Sequence, residues 1–185
     1  MTAHRIILDL CGGTGAWSRP YAEAGYDVRL VTLPEQDVRT YAPPENVHGI
    51  LAAPPCTEFA TSGSRWWATK PPHLLVEARE IVDACLRIID ESAPAWWALE
   101  NPVGRLRRFI GPPAWTFQPW EYGDGQFKQT LIWGTAVRPT PLVGKAPPRT
   151  RESQSVWQAS PSPERATLRS ITPLGFARAF FEANP

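Results

Sequence analysis

The sequence predicts an α/β protein that folds as a single domain over residues 1–185, with a mostly parallel, doubly wound sheet. Short apolar runs alternate with helical segments over the first hundred residues, which is the order found in parallel sheets. A glycine-rich stretch follows the first apolar run, and polar or cysteine residues follow two later ones. Because ligands bind outside the carboxyl ends of strands in open parallel sheets, these residues predict one site at one sheet edge.

The first half of the chain contains the predicted parallel strands and their helices. Each strand is a short apolar run that ends in turn residues, prolines or an acid. In the longer helix, apolar residues recur at intervals of three and four, which indicates an amphipathic helix. The strands are predicted at 5–10, 27–32, 49–53 and 96–99, and the helices at 16–25 and 74–91.

The second half is predicted to complete the sheet with an antiparallel strand pair at 117–120 and 127–133. Residues 135–166 are rich in Pro, Ser and Arg and therefore predict an extended surface loop. A last helix is predicted with Thr172 as its N-cap and Pro173 in its first turn. Its apolar face is predicted to consist of Phe176, Ala177, Phe180 and Phe181.

The composition excludes several classes of protein. No run of about 20 apolar residues is present, so no transmembrane helix and no membrane partner are expected. The N-terminus lacks the pattern of a signal peptide. The three cysteines are scattered and odd in number, which disfavours a disulfide framework and favours the cytoplasm. The three histidines have no ligand spacing to the cysteines, so no metal site is predicted.

The net charge of +1 conceals an asymmetry. Residues 1–103 contain 8 Lys/Arg and 13 Asp/Glu, whereas residues 104–185 contain 11 and 5. Most of the positive excess lies within 104–151. This distribution indicates either a surface that binds a polyanion or a solvated basic surface, and the charges alone do not separate the two.

The stretch ILDLCGGTGAWS at 7–18 is the strongest local signal. Glycines after a strand allow the backbone to turn sharply and to approach a cofactor closely. The dinucleotide-binding fingerprint requires a third glycine where Ser18 stands, so a nicotinamide cofactor is disfavoured. Asp9, just before the glycines, fits a nucleoside-binding methyltransferase better.

Three segments resemble the motifs of the cytosine-C5 DNA methyltransferases, in the same order and at similar spacing. DLCGGTGAWS (9–18) resembles the first motif, APPCTEFA (53–60) the Pro-Cys motif and LENPVGRL (99–106) the Glu-Asn motif. From about residue 6 to residue 185, the chain is similar to the compact, phage-associated branch of that family. The resemblance implies a Rossmann-like class I methyltransferase fold and an enzyme of the host cytoplasm that methylates cytosine C5 in DNA, converting S-adenosyl-L-methionine to S-adenosyl-L-homocysteine.

The resemblance also implies a covalent mechanism. Cys56 adds as a thiolate to C6 of cytosine, and this addition makes C5 nucleophilic. Glu100 hydrogen-bonds to the base and protonates N3 as C6 is attacked. Asn101 orders the loop that carries these residues.

The cofactor residues implied by the resemblance follow the first three strands. Asp9 and the glycines shape the methionine side of the pocket, Trp17 lies on the adenine, and Asp37 accepts a hydrogen bond from the adenine amine. The acid that normally ends the second strand is either displaced, with Glu35 as a candidate, or missing, because Thr32-Leu33-Pro34-Glu35 stands there. The full predicted set is Asp9, Cys11, Gly12, Gly13, Thr14, Gly15, Trp17, Thr32, Leu33, Asp37 and Pro54.

Substrate contacts are predicted on the loop that follows Cys56 and in the basic second half. The loop at 57–72 is placed to close over a base that has left the duplex, and Trp66 would wedge or stack there. Basic residues farther along the chain would contact phosphates. The predicted set is Pro55, Arg65, Trp66, Lys70, Arg105, Lys128 and Gln129.

The chain departs from the family in two respects. The stretch FKQTLIWG at 127–134 has no arginine where the eighth motif supplies them, so Lys128 or Gln129 takes that place. There is also no separate target-recognition domain, since only the roughly 30 residues of 135–166 are available for that role. We therefore expect relaxed specificity, a recognition subunit or homo-oligomer, or a substrate other than duplex DNA.

Three functions fit the sequence. The first is methylation of cytosine C5 in DNA, duplex in preference to single-stranded. The second is the same chemistry on a free pyrimidine nucleotide, single-stranded DNA or RNA; the absent recognition domain favours it, whereas the basic second half disfavours the free nucleotide. The third is a non-catalytic nucleic-acid-binding protein or partner subunit. The absent arginine favours this third function, and the presence of both Cys56 and Glu100 disfavours it.

Overall fold

The structure is a computed structural model that describes residues 5–148 and 171–185. Its strands are β1 (Ile6–Leu10), β2 (Asp27–Val31), β3 (Val47–Ala52), β4 (Trp96–Pro102), β5 (Trp115–Phe117) and β6 (Thr130–Gly134). The α-helices of the described residues are α1 (Arg19–Glu23), α2 (Pro72–Ser92), α3 (Arg107–Ile110) and α4 (Leu174–Ala183). Short 3-10 helices cover Thr61–Trp66 and Pro119–Tyr122.

The six strands form one sheet in the order β2-β1-β3-β4-β6-β5. Pairing is parallel from β2 through β4, whereas β6 runs antiparallel to both β4 and β5. The predicted α/β class, with a mostly parallel sheet and an antiparallel pair, is confirmed. The position predicted for the first strand of that pair is wrong, because β5 begins at Trp115 and Pro119 starts a 3-10 helix.

Apolar side chains cover both faces of the sheet, as a doubly wound fold requires. Leu8, Ile50 and Leu99 belong to one core, in which the buried residues of α2 also lie. Ile7, Leu51 and Ala98, their neighbours in sequence, belong to a second core that contains α1 and α4. Because successive side chains of a strand point to opposite faces, the middle of β1, β3 and β4 presents apolar side chains to both cores.

Helix α4 closes the second core. It begins at Leu174 with Pro173 in the N-cap position, so the N-cap role predicted for Thr172 is wrong. The N–H groups of Gly175 and Phe176 donate instead to the carboxylate of Asp124, at 3.3 and 3.1 Å. A carboxylate at this end complements the helix dipole.

The buried residue Asn184, just after α4, ties distant segments together. Its side chain exchanges two hydrogen bonds with the backbone of Val137, at 2.7 and 3.0 Å. Its carbonyl accepts a hydrogen bond from the Tyr21 hydroxyl at 2.8 Å. Asn184 thereby joins α1, the chain after β6 and α4.

The described part of the predicted surface loop, 135–148, contains no helix or strand. The remainder of that prediction, 149–166, lies outside the described residues. None of the described helices is both long enough and apolar enough to cross a membrane.

Candidate functional site

Three neighbouring parallel strands bring predicted site residues to one edge of the sheet. Leu10 pairs with Ala52, and Ala52 pairs with Leu99, so the strands are level at this point. The next residues along each path are Cys11, Ala53 and Glu100. Because adjacent strands lie about 4.8 Å apart, the glycine-rich loop, the segment leading to Cys56 and the Glu100 strand are neighbours.

The glycine-rich loop turns over a buried carboxylate. Asp9 is fully buried, and its Oδ2 accepts a hydrogen bond from the Ser18 hydroxyl at 2.5 Å. Its Oδ1 has no hydrogen-bond partner among the described residues. A Cβ on Gly12 would overlap with this carboxylate, so the loop requires glycine there. Burial raises the pKa of Asp9 to about 6, and the hydrogen bonds from Ser18 oppose that shift.

The outer side of the same loop is open backbone. Gly13 and Gly15 have φ angles of +56° and +68°, which glycine adopts readily. Gly13 and Thr14 are exposed, and a Cβ on Gly13 would meet no atom within 4 Å. The loop thus presents accessible backbone above a buried acid, an arrangement that accommodates a polar ligand.

Trp17 lies in the core. Its side chain is 2% exposed, and its ring meets Phe180 edge to face at 5.2 Å and Phe176 at 6.0 Å between centroids. Stacking on an adenine requires an uncovered ring face. In this structure Trp17 thus packs against α4, and its stacking on an adenine stays a prediction.

The residues predicted to contact the cofactor after β2 form a turn and an ion pair. The carbonyl of Thr32 accepts a hydrogen bond from the Gln36 N–H at 3.0 Å, and Leu33 is exposed. Both carboxylate oxygens of Asp37 accept hydrogen bonds from the Arg39 guanidinium, Oδ1 from Nε and Oδ2 from Nη2. These hydrogen bonds lower the pKa of Asp37. An adenine amine would therefore share this carboxylate with Arg39.

Cys56 opens a tight turn after β3. Its side chain is half-buried, and its carbonyl accepts hydrogen bonds from the N–H groups of Phe59 and Ala60, at 2.9 and 2.8 Å. Just upstream, the carbonyl of Pro54 accepts a hydrogen bond from Nδ2 of the fully buried Asn101 at 3.0 Å. Asn101 therefore joins the Glu100 strand to the segment that carries Cys56.

Glu100 lies beside Lys128. Lys128 Nζ is 3.4 Å from Glu100 Oε1, and the two side chains are only 18% and 17% exposed. Ile132 of the antiparallel β6 is opposite Glu100 and Thr130 is opposite Pro102, so Lys128 lies just beyond the end of β4 and its side chain reaches the acid. Of the two candidates for the missing arginine, Lys128 is therefore at the acid, whereas Gln129 is exposed.

The loop after Cys56 has an exposed tip and a buried base. At the tip, the Arg65 guanidinium lies 5.1 Å from the centre of the Trp66 ring, which is 54% exposed. At the base, Lys70 and Arg105 are engaged with Glu58. The exposed members of the predicted substrate set are Pro55, Arg65, Trp66 and Gln129, and the partly buried ones are Lys70, Arg105 and Lys128.

The structure adds Ser18 and Glu58, which the sequence analysis missed. Ser18 was considered only as a substitute for a fingerprint glycine, yet it is the hydrogen-bond donor to Asp9. Glu58 is only 7% exposed, in a turn with the buried Phe59 and Ala60. An acid inside an apolar segment is a signal of a buried ion pair.

No cluster of three or more His, Cys, Asp or Glu side chains that would hold a metal ion occurs within 5–148 and 171–185. No protein-family profile matches the chain, and no curated protein matches it by sequence. Its structure is similar to a crystal structure described as a candidate DNA modification methyltransferase encoded within an E. coli prophage, with a TM-score of 0.49 and 16% sequence identity. The match covers 70% of this chain and 46% of the other, so this chain matches less than half of the other's length.

Proposed function

We propose that this protein is an S-adenosylmethionine-dependent methyltransferase that acts on C5 of cytosine in DNA. One observation carries the proposal: the Asn101–Pro54 hydrogen bond of 3.0 Å joins the Cys56 segment to the Glu100 strand, directly beside the glycine-rich loop. A thiol, a carboxyl group and a cofactor loop at one sheet edge are the groups that this reaction requires.

The glycine-rich loop is suited to hold the cofactor. Its exposed backbone at Gly13 and Thr14 lies in the same short loop as the buried Asp9, whose Oδ1 is unpartnered among the described residues. A buried carboxylate favours a positively charged group, and S-adenosylmethionine carries an ammonium and a sulfonium. When bound, this cofactor supplies the methyl group. The other proposed lining residues are Cys11, Gly12, Gly15, Thr32, Leu33, Asp37 and Pro54.

Two side chains of this chain perform the chemistry in the proposed reaction. The Cys56 thiolate adds to C6 of cytosine, while the Glu100 carboxyl donates a proton to N3. C5 thereby becomes nucleophilic and accepts the methyl group. A water molecule then removes the C5 proton, the C6–S bond breaks and releases Cys56 as a thiolate, and the N3 proton returns to Glu100. Lys128, at 3.4 Å, holds the Glu100 carboxyl in place.

DNA is the proposed substrate because basic and aromatic groups lie in the loop after Cys56 and basic residues are in excess in the second half of the chain. Arg65 and the exposed Trp66 form the tip of the loop that follows Cys56, and the excess of basic residues lies within 104–151. Arginine pairs with phosphates, and an indole ring stacks on a base of any sequence. The exposed Trp66 also favours a second candidate, single-stranded DNA or RNA, because unpaired bases stack without prior extrusion.

The test measures transfer of labelled methyl groups from S-adenosylmethionine to duplex DNA, single-stranded DNA, RNA and free nucleotides, followed by nucleoside mass spectrometry. We expect label in 5-methylcytosine of DNA, abolished by Cys56→Ser and retained by Cys85→Ala. Turnover by Cys56→Ser would contradict the covalent mechanism. Absence of label in every substrate, together with measurable cofactor binding, would favour a non-catalytic nucleic-acid-binding protein or partner subunit.

A further inference from the structure

The segment after Cys56 is paired with the segment after Glu100. Ala60 and Gly104 form an antiparallel bridge, and the N–H and hydroxyl of Thr61 both donate to the carbonyl of Val103, at 2.9 and 2.8 Å. A Cβ on Gly104 would overlap with the carbonyl of Phe59. The two segments therefore pack backbone against backbone.

Arg105 adds side-chain contacts to this pairing. The backbone N–H of Arg105 donates to the carbonyl of Phe59 at 2.8 Å, and its side-chain Nε donates to the backbone carbonyl of Glu58 at 2.7 Å. Its guanidinium lies 4.5 Å from the centre of the Trp67 ring, and its side chain is 14% exposed. The guanidinium plane and Nε of Arg105 thus make their contacts with other groups of the protein.

Glu58 links both ends of the loop to Arg105. Its carboxylate lies 2.5 Å from Lys70 Nζ and 3.9 Å from Arg105 Nη2, with a side chain that is 9% exposed. Because the pair is largely buried, losing either partner would leave a charge with poor solvation. The loop from 58 to 70 is therefore closed at its base by one carboxylate.

We propose that Arg105 and Glu58 are positioning residues that fix the Cys56 turn relative to the Glu100 strand. This proposal rests on the proposed function, in which a thiol and a carboxyl act on two atoms of one ring. The turn is held on both sides, by Asn101 before Cys56 and by Arg105 after it. Arg105 thereby has a role different from the phosphate contact that its charge predicts.

The first test is independent of activity and uses amide hydrogen exchange of the full chain. The variants are Arg105→Ala and Arg105→Lys, with Arg178→Ala, an exposed arginine of α4, as the matched control. In Arg105→Ala, we expect exchange at 57–61 to accelerate by at least about tenfold while β1 and β3 stay protected. Unchanged exchange at 57–61 would overturn the proposal, whether or not the protein transfers methyl groups.

Arg105→Lys guards against a general loss of structure in Arg105→Ala. Lysine keeps the positive charge near Glu58 but lacks the Nε donor and the planar group that lies over Trp67. We expect intermediate exchange at 57–61 for this variant. Exchange equal to that of the original chain would show that charge alone holds the turn, and would overturn the specific role of the guanidinium.

The second test separates positioning from phosphate binding. It measures steady-state kinetics of methyl transfer to the DNA substrate that the protein methylates. We expect Arg105→Ala to lower kcat by at least about tenfold, with KM for DNA and its salt dependence unchanged. A higher KM, together with a salt slope reduced by about one, would indicate a phosphate contact and would overturn the proposal. If the original chain methylates nothing, the proposed function fails, and the exchange experiment still decides the role of Arg105.

Discussion

The glycine-rich loop after β1 and the Cys56 loop after β3 leave adjacent strands at the same edge, but they are held differently. The first is shaped by its backbone: glycines with positive φ turn over Asp9, and a single hydroxyl group supports that acid. The second is held by backbone pairing with residues 103–105 and, in addition, by side chains, with Glu58, Lys70 and Arg105 at its base.

The difference indicates what each loop tolerates. A loop shaped by its backbone depends on the absence of side chains, so it is sensitive to added volume and insensitive to salt. A loop held by backbone pairing and ion pairs is sensitive to added volume where the backbones meet and, unlike the first loop, also to neutralising substitutions.

Gly104→Ala should have the largest effect, because its Cβ would overlap with the backbone carbonyl of Phe59, which has little freedom to move. We expect a loss of about 3 kcal/mol in the free energy of unfolding, measured by urea denaturation. Gly63→Ala is the matched control, since its Cβ would meet only the Thr57 carbonyl at 3.7 Å. Equal stabilities of the two variants would contradict the close packing of the paired segments.

Asp9→Asn tests the buried acid through the pH dependence of stability. Burial raises the pKa of Asp9 from 3.8 to about 6, so between these values the folded state binds more protons than the unfolded state. The contribution of Asp9 is therefore most favourable below about pH 4 and is lost as the pH rises through 6. Relative to the original chain, Asp9→Asn should gain up to about 3 kcal/mol between pH 4 and pH 7. Denaturation curves of both proteins at the two pH values measure this gain, and a constant difference would contradict it.

Gly12→Ala should disturb the glycine-rich loop, because its Cβ would overlap with the Asp9 carboxylate, a side chain that shifts more easily than backbone. We expect a loss of about 1–3 kcal/mol in unfolding free energy. Under the proposed function, the Kd of S-adenosylhomocysteine should also rise at least about tenfold, as measured by calorimetry. Gly63→Ala is again the control, and unchanged binding by Gly12→Ala would place the cofactor elsewhere.

Lys70→Gln tests the ion pair at the base of the Cys56 loop. Removing the ammonium leaves the largely buried Glu58 without its closest partner, so we expect a loss of about 1–2 kcal/mol in unfolding free energy. Glu91→Gln is the comparison, because the Arg87–Glu91 pair is solvent-exposed on α2 and should contribute only about 0.3–0.5 kcal/mol. A Lys70→Gln effect as small as that of Glu91→Gln would show that the loop does not depend on this charge.

Local signals in the sequence predicted the central fold well. The strands before and after the predicted long helix are short apolar runs, and α2 has apolar residues at helical spacing, so their existence follows from periodicity. The residues that follow the strands were placed at one edge because parallel strands end together. These inferences depend only on residues that lie close together in the sequence.

What the sequence could not show depends on partners that are distant in sequence. The N-terminus of α4 is capped by Asp124, about 50 residues upstream, whereas a Ser/Thr rule looks only to the adjacent Thr172. Trp17 and Arg105 are residue types that occur both in ligand sites and inside proteins. Only the tertiary contacts with Phe180 and Glu58 show that both are used internally.

The position of α4 along the chain has a consequence for biosynthesis. Phe176 and Phe180 complete the second core, which contains Ile7 and Leu51. Asn184 then forms hydrogen bonds with Val137 and Tyr21. During translation, strands β1 to β6 emerge from the ribosome before this cover exists. One face of the sheet is therefore expected to expose apolar surface until residues 174–184 emerge, which makes the nascent chain a client for chaperones that bind apolar segments.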